Sequence, residues 1–191
     1  MASGSSKMKT PILKTARLTL APPLIHDQMN VDHYLKWLHT EQVIRLSEQR
    51  HRKHTIDSQR DYLRSFDGDN QIWEIKRNAT PIGTITSYRN TPNATSNLGI
   101  MIGEQIVWGQ GYGAEAWDAV CGYLFEDGIR KIEAGCMSNN NAMRGVLSKC
   151  GFMLEATLPN YFLLDGKPED MVYYGKYRKA QIIPIQNIAA K

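Results

Sequence analysis

Trp108-Gly109-Gln110-Gly111-Tyr112-Gly113 is the segment that most constrains what this chain can fold into. It follows a short apolar run, Leu98 to Gly103, and precedes Ala114-Glu115-Ala116, where the pattern predicts the opening of a helix. Glycines at every second position leave the backbone bare, so N–H groups can approach a bound group closely. A glycine loop running into a helix start gathers free amides and the positive end of the helix dipole, which suits an anion such as a diphosphate. The spacing differs from a dinucleotide fingerprint, which wants Gly-x-Gly-x-x-Gly near the first strand and an acidic residue about 20 positions on.

The rest of the chain predicts one mixed α/β domain. Arg17 to Leu20 reads as a first edge strand, ended by Pro22-Pro23. Asp32 to Leu38 carries a helical stripe of Tyr34, Leu35, Trp37 and Leu38, and Thr55 is placed to cap a second helix through Leu63. Gln71 to Lys76 and Ile82 to Tyr88 read as a hairpin, Thr91 to Ser96 as a polar loop, and Leu98 to Ile102 as the strand before the glycine loop. Beyond it come a helix ending near Asp127-Gly128, a strand Lys131 to Cys136 and a helix Asn141 to Lys149 closed by Cys150-Gly151. Two strands, Leu158 to Leu164 and Asp170 to Tyr177, flank the hairpin signal Asp165-Gly166.

Composition removes several classes of function. A net charge of +4 on 191 residues suits an anionic ligand but is far from the dense basic stripe of a nucleic-acid binder, so no nucleic-acid partner is expected. No apolar run reaches the roughly 20 residues of a membrane span, and no secretory leader is seen, so a cytoplasmic protein without a membrane partner is expected. Cys121, Cys136 and Cys150 are too widely spaced for a metal motif and read as reduced thiols, with Cys150 a buried structural one. His51 and His54 lack other ligand types nearby, so no metal is expected. Met1 to Lys7 reads as a cloning scar, residues 8–179 as the domain, and 180–191 as a tail whose apolar Ile182 to Ile188 could serve a homodimer.

The glycine loop, the later Asn140…Lys149-Cys150-Gly151-Phe152, the opening Arg17-Leu18-Thr19-Leu20 and the closing Asp165-Gly166-Lys167 with Asp170 come in an order that resembles the GNAT superfamily of acyl-CoA-dependent N-acetyltransferases. Trp108 in the first loop slot is similar to the branch of ribosomal-protein N-terminal acetyltransferases and related small-molecule enzymes. The likeness runs from about Leu13 to Arg178. It implies an α/β (α+β) domain with a central, mostly antiparallel mixed sheet flanked by helices and splayed between its fourth and fifth strands at the cofactor cleft. Acetyl-CoA would be the co-substrate. Its pantetheine arm would bond the backbone near Met101 and Ile102, and its pyrophosphate would sit on the loop from Trp108 and Gly109 through Gln110, Gly111, Tyr112, Gly113 and Ala114. Asn140 would face the pantetheine or the acetyl end, leaving Asn139 or Asn141 to cap the helix.

Three customary catalytic positions depart from that resemblance: Leu147, Met143 and Asn97 stand where a tyrosine, a serine and an acidic residue are usual. Glu104 is then the candidate proton relay and Tyr161 the candidate acid, although Tyr161 also reads as a packing aromatic of a late strand. The basic run containing Arg45, Arg50, Arg52 and Lys53 could read an anionic primary amine, with phosphates on Arg45 and Arg50 and a sugar face on Trp37, or it could be a solvated loop. The activity this implies is acetyl transfer to a small-molecule amine such as an amino sugar nucleotide or amino acid derivative. Protein N-terminal acetylation and acyl-CoA binding without turnover are the alternatives.

Overall fold

A computed structural model of the chain describes residues 10–23, 28–66 and 68–178. The scar assigned to Met1–Lys7 and the tail from residue 180 fall outside these residues. The described strands form one eight-stranded sheet. In chain order they are β1 (Leu13–Lys14), β2 (Thr19–Ala21), β3 (Gln71–Arg77), β4 (Thr80–Asn90), β5 (Thr95–Ile102), β6 (Lys131–Met137), β7 (Met153–Leu164) and β8 (Lys167–Tyr177). Their spatial order is β1-β2-β3-β4-β5-β6-β8-β7. The helices are α1 (Gln28–Leu38), α2 (Glu41–Ile44), α3 (Ile56–Arg64), α4 (Tyr112–Glu126) and α5 (Asn141–Lys149).

Each neighbouring pair is antiparallel except β5 and β6, which run parallel and pair only at Thr95–Lys131, Ser96–Ile132 and Asn97–Glu133. From Leu98 onward the two strands part, and the β5 edge facing β6 has no strand partner. This is the splay expected between the fourth and fifth strands; the same pair carries later labels because two-residue β1 precedes them.

Side chains alternate across the sheet, so consecutive residues serve different layers. Trp73 and Ile75 of β3 enter the larger core with Ile85, Trp117, Leu124, Ile132 and Leu147, beneath α4 and α5. Ile72 faces the other way and joins Val31, Tyr34, Leu35, Trp37, Leu38 and Leu63 of α1 and α3. Burying each such large side chain contributes about 1.5–3 kcal/mol. Five of the seven residues of β3 are buried, while the terminal strand β7 is exposed along almost its whole length.

Local chemistry explains the boundaries. Thr55 and Ser58 form a reciprocal capping box that starts α3. Asn78-Ala79 and Asp165-Gly166 take positive φ at both turn positions, which closes the two hairpins. The structure differs from the sequence reading in several places. The sheet edge is Leu13–Lys14 rather than the Arg17 strand, because Leu13 and Lys14 pair with Leu20 and Thr19. The polar stretch from Thr91 holds only a 3-10 turn, Thr91–Asn93, before β5 begins at Thr95. Asn140 itself caps α5, its Oδ1 accepting from Met143 N–H at 3.0 Å, so neither Asn139 nor Asn141 is the cap.

Candidate functional site

The splay ends in a loop shaped by hydrogen bonds from the Trp108 and Gln110 side chains and by two left-handed glycines. Gly109 and Gly111 have φ of +74° and +83°, a region that disfavours side chains with a Cβ. Trp108 donates its indole N–H to the Ile102 carbonyl at 2.8 Å, and Gln110 Nε2 donates to the Ile106 carbonyl at 2.8 Å. Val107 is buried beneath the loop. Gly111 caps α4, and the first intrahelical bond is Glu115 N–H to Gly111 O at 3.1 Å. The amides of Tyr112, Gly113 and Ala114 thus precede the helix's first internal bond and point from its positive end. A side chain at Gly109 would meet nothing within 4 Å, so the space over the loop is open.

Arg17 from the opposite end of the chain locks this loop. Its Nη1 donates to the Gln110 carbonyl at 3.1 Å, its Nε to Glu115 Oε2 at 2.6 Å, and its guanidinium lies 4.2 Å from the centroid of the Tyr112 ring. Glu115, in the first turn of α4, would otherwise set a negative charge beside the amides. Burial acts to raise its pKa, but hydrogen bonds from the Thr15 hydroxyl and from Arg17 outweigh that and hold it below the usual carboxylate range. A Cβ at Gly111 would stand 3.6 Å from Arg17 Nη2 and 3.7 Å from Lys149 Nζ. Two cations therefore border the amides. The sequence reading named neither as a loop residue, because they lie 94 positions before and 38 positions after Gly111.

The residues present fit a diphosphate: free amides, a helix N-terminus, two cations and bare glycines. Loop residues contribute unequally. Trp108 is 44% exposed but its N–H is spent on Ile102, and Tyr112 is a buried core side chain that offers its amide alone. Met101 packs against the α1–α3 layer and Ile102 against the α4–α5 core, so the two flank the unpaired β5 edge from opposite faces. Half-buried Asn140 keeps its Oδ1 on the cap.

Glu104 sits at the end of β5, half-buried, with Oε1 accepting from Trp37 Nε1 at 2.9 Å. Trp37 is 3% exposed and packed flat on Gly103, where a Cβ would fall 2.0 Å from its ring. It presents no open face to a sugar, and its indole N–H is spent on Glu104. Arg45 is bonded to Asp165 in the β7–β8 turn, and Arg50 donates to the Leu163 and Ser47 carbonyls and pairs with Glu48 at 3.2 Å. Both expected phosphate-reading arginines instead tie the segment after α2 to the last hairpin. Tyr161 is 57% exposed beside the positive-φ Asn160, where β7 loses register with β8, and its ring stacks edge-on with Phe162. No hydrogen bond or ring contact among the described residues joins it to β5 or α4.

Of the three positions where the resemblance would put ionisable groups, Leu147 is fully buried, Met143 packs on the core and Asn97 is exposed on β5. All three cysteines are free and buried; the Cys150 thiol faces the Ala114 carbonyl at 3.4 Å, and burial raises its pKa, which disfavours the thiolate. Among the described residues no group of three or more His, Cys, Asp or Glu could hold a metal, and no helix is long and apolar enough to cross a membrane.

Comparison with known proteins places this fold. Residues 17–153 match the family model for the acetyltransferase (GNAT) domain. No curated protein matches the sequence at a significant level. Among solved structures, a GNAT-family acetyltransferase from Bacillus anthracis superposes with a TM-score of 0.76 at 17% identity, covering 89% of this chain and 100% of the other. RimL, a ribosomal L7/L12 α-N-protein acetyltransferase in complex with coenzyme A, gives 0.79 at 16% identity, covering 90% and 100%. The microcin C7 self-immunity acetyltransferase MccE, in complex with acetyl-CoA and AMP, gives 0.73 at 18% identity, covering 85% and 93%. At these identities the likeness is one of fold.

Proposed function

The chain belongs to the GNAT acetyltransferase family, and from that premise we propose that it transfers an acetyl group from acetyl-CoA to the primary amine of a small anionic acceptor by direct attack. The observation that carries the cofactor part is the loop at the head of α4, with its free amides bordered by Arg17 and Lys149. When bound, acetyl-CoA supplies an activated thioester. The amides of Gly109 to Ala114 would hold its pyrophosphate, and the unpaired β5 edge from Leu98 to Ile102 would hold its pantetheine. The Asn140 side-chain N–H2 is left for that arm, since its oxygen serves the cap.

Attack requires a neutral amine, so a proton must leave the acceptor. Glu104 is placed to take it at the mouth of the splay: one oxygen is fixed by Trp37 and the other remains for the amine or a water. With Leu147, Met143 and Asn97 non-ionisable, positioning supplies much of the acceleration. Tyr161 as the acid rests on sequence position alone. An anionic acceptor is supported by the net charge of +4, and the complex of MccE with acetyl-CoA and AMP favours a nucleotide-linked one.

The fold of RimL favours a second reading, acetylation of a protein N-terminus. Thiol release with a panel of amines, amino sugar nucleotides and N-terminal serine peptides tests all readings together. Turnover with a small anionic amine supports the proposal; turnover with peptides alone moves the assignment to protein N-termini. Binding of acetyl-CoA with no turnover leaves an acyl-CoA-binding protein.

A further inference from the structure

The basic run that the acetyl-transfer reading leaves unused, Arg52-Lys53-His54, lines a cavity of about 100 Å³ between α1, the 3-10 turn Glu48–His51 and α3. Arg52 and Lys53 form its charged wall, and Leu38 with the rings of Tyr34 and Tyr62 form its apolar wall. Gln59 also lines it; that side chain is only 5% exposed, and its Oε1 has no hydrogen-bond partner. A buried carbonyl oxygen left without a donor costs about 1–3 kcal/mol, so a bound group that supplies one is favoured.

Several other polar groups around the cavity are already committed. The Tyr62 hydroxyl meets that of Tyr88 at 3.2 Å. The Ser58 hydroxyl belongs to the capping box. His54 Nε2 donates to the Gln49 carbonyl at 3.0 Å, and His39 Nε2 donates to the His54 carbonyl at 3.0 Å, which pins the wall to α1. What faces the ligand includes the Gln59 Oε1 acceptor, two cations and an apolar surface, and among the described residues no carboxylate is in the lining. A ligand carrying an ammonium would set it among cations with no balancing charge. A neutral hydroxyl on a short carbon frame, ending in a carboxylate, meets every wall. A volume of about 100 Å³ suits a small ligand.

We propose that this cavity is a binding site for a small hydroxycarboxylate, separate from the cofactor loop. The hydroxyl donates to Gln59 Oε1 and the carboxylate pairs with Arg52 and Lys53.

The test is a titration of the whole protein, saturated with CoA to occupy the glycine loop, with lactate, propionate and alanine, read by backbone amide shifts. Lactate binding with a Kd on the order of 1 mM is expected, with shifts centred on residues 52–62 and propionate weaker by about fivefold. Replacing both Arg52 and Lys53 by Ala weakens lactate and propionate alike by about tenfold, and Gln59→Leu removes the preference for lactate. Gln59→Glu, which keeps the shape of the side chain, abolishes lactate binding and admits alanine, so the proposal stays testable if the leucine variant is unstable. Acetyl-CoA affinity is unchanged in all of these. Equal affinity for propionate and lactate, stronger binding of alanine to the unaltered protein, shifts confined to residues 108–115, or no shift at all overturns the proposal. If the protein does not bind CoA, the amide map still reads the cavity by itself, so the two readings fail separately.

Discussion

Trp37 Nε1 donates to Glu104 Oε1 at 2.9 Å, joining a helix of the first layer to the end of the strand that opens the cleft. One buried indole thereby fixes one oxygen of the Glu104 carboxylate. Glu104→Gln keeps the shape and the hydrogen bond but not the base, so kcat should fall about 10²–10⁴-fold with acetyl-CoA affinity unchanged. Trp37→Phe should lower kcat less and shift the pH–rate profile, because the carboxylate survives without its partner. Steady-state kinetics against pH with calorimetry for acetyl-CoA checks both; an unaltered kcat in Glu104→Gln removes Glu104 from the reaction.

Gly111 combines a φ of +83° with cations 3.6 and 3.7 Å from any Cβ. Gly111→Val should strain the loop by about 1–2 kcal/mol and cover the amides, weakening acetyl-CoA by more than about tenfold. Gly122→Ala, on α4 with nothing within 4 Å of a new Cβ, is the control and should leave affinity unchanged. Calorimetric titration of the two variants distinguishes a binding loop from a bare turn.

Gly103 exists to admit Trp37, whose ring would lie 2.0 Å from a Cβ. Gly103→Ala should cost about 1–3 kcal/mol through overpacking and displace Trp37 from Glu104. A lowered melting temperature together with reduced kcat is the expected outcome; a change in neither shows that the α1 layer yields freely.

Asn140 separates capping from cofactor contact by choice of substitution. Asn140→Ala should cost about 1 kcal/mol of stability through the lost cap. Asn140→Asp keeps the capping oxygen but removes the side-chain N–H2 donors, so it should retain the melting temperature and raise KM for acetyl-CoA. An unchanged KM in the Asp variant leaves Asn140 a cap and nothing more.

Glu115 gives the fold an acid-sensitive contact. Its folded pKa is depressed, the raising effect of burial being outweighed by hydrogen bonds from Thr15 and Arg17. Its stabilisation is therefore complete above the ordinary glutamate value of about 4.3 and is lost as pH falls through the lower folded value. Glu115→Gln should lower the melting temperature at neutral pH and flatten its decline toward acid, measured by calorimetry from about pH 7 to about pH 3. Arg17→Ala should do the same and also weaken acetyl-CoA, because the Gln110 carbonyl loses its donor.

What the sequence determined by itself was local. Alternate glycines in the loop at Gly109, Gly111 and Gly113, the Thr55 start of α3, the Asp165-Gly166 turn and the Asn141–Lys149 helix each follow from backbone geometry within a few residues. The resemblance supplied their order and the splay. The tertiary structure alone decided where long polar side chains spend their hydrogen bonds. Arg45 and Arg50 reach the β7–β8 hairpin more than a hundred positions away, Trp37 turns inward to Glu104, and Arg17 crosses to Gln110 and Glu115. A guanidinium or an indole N–H can be satisfied by many partners at nearly equal free energy, and only packing brings one within reach. Asn140 shows the same limit at short range: three consecutive asparagines can each cap a helix, and the backbone conformation after β6 selects the middle one.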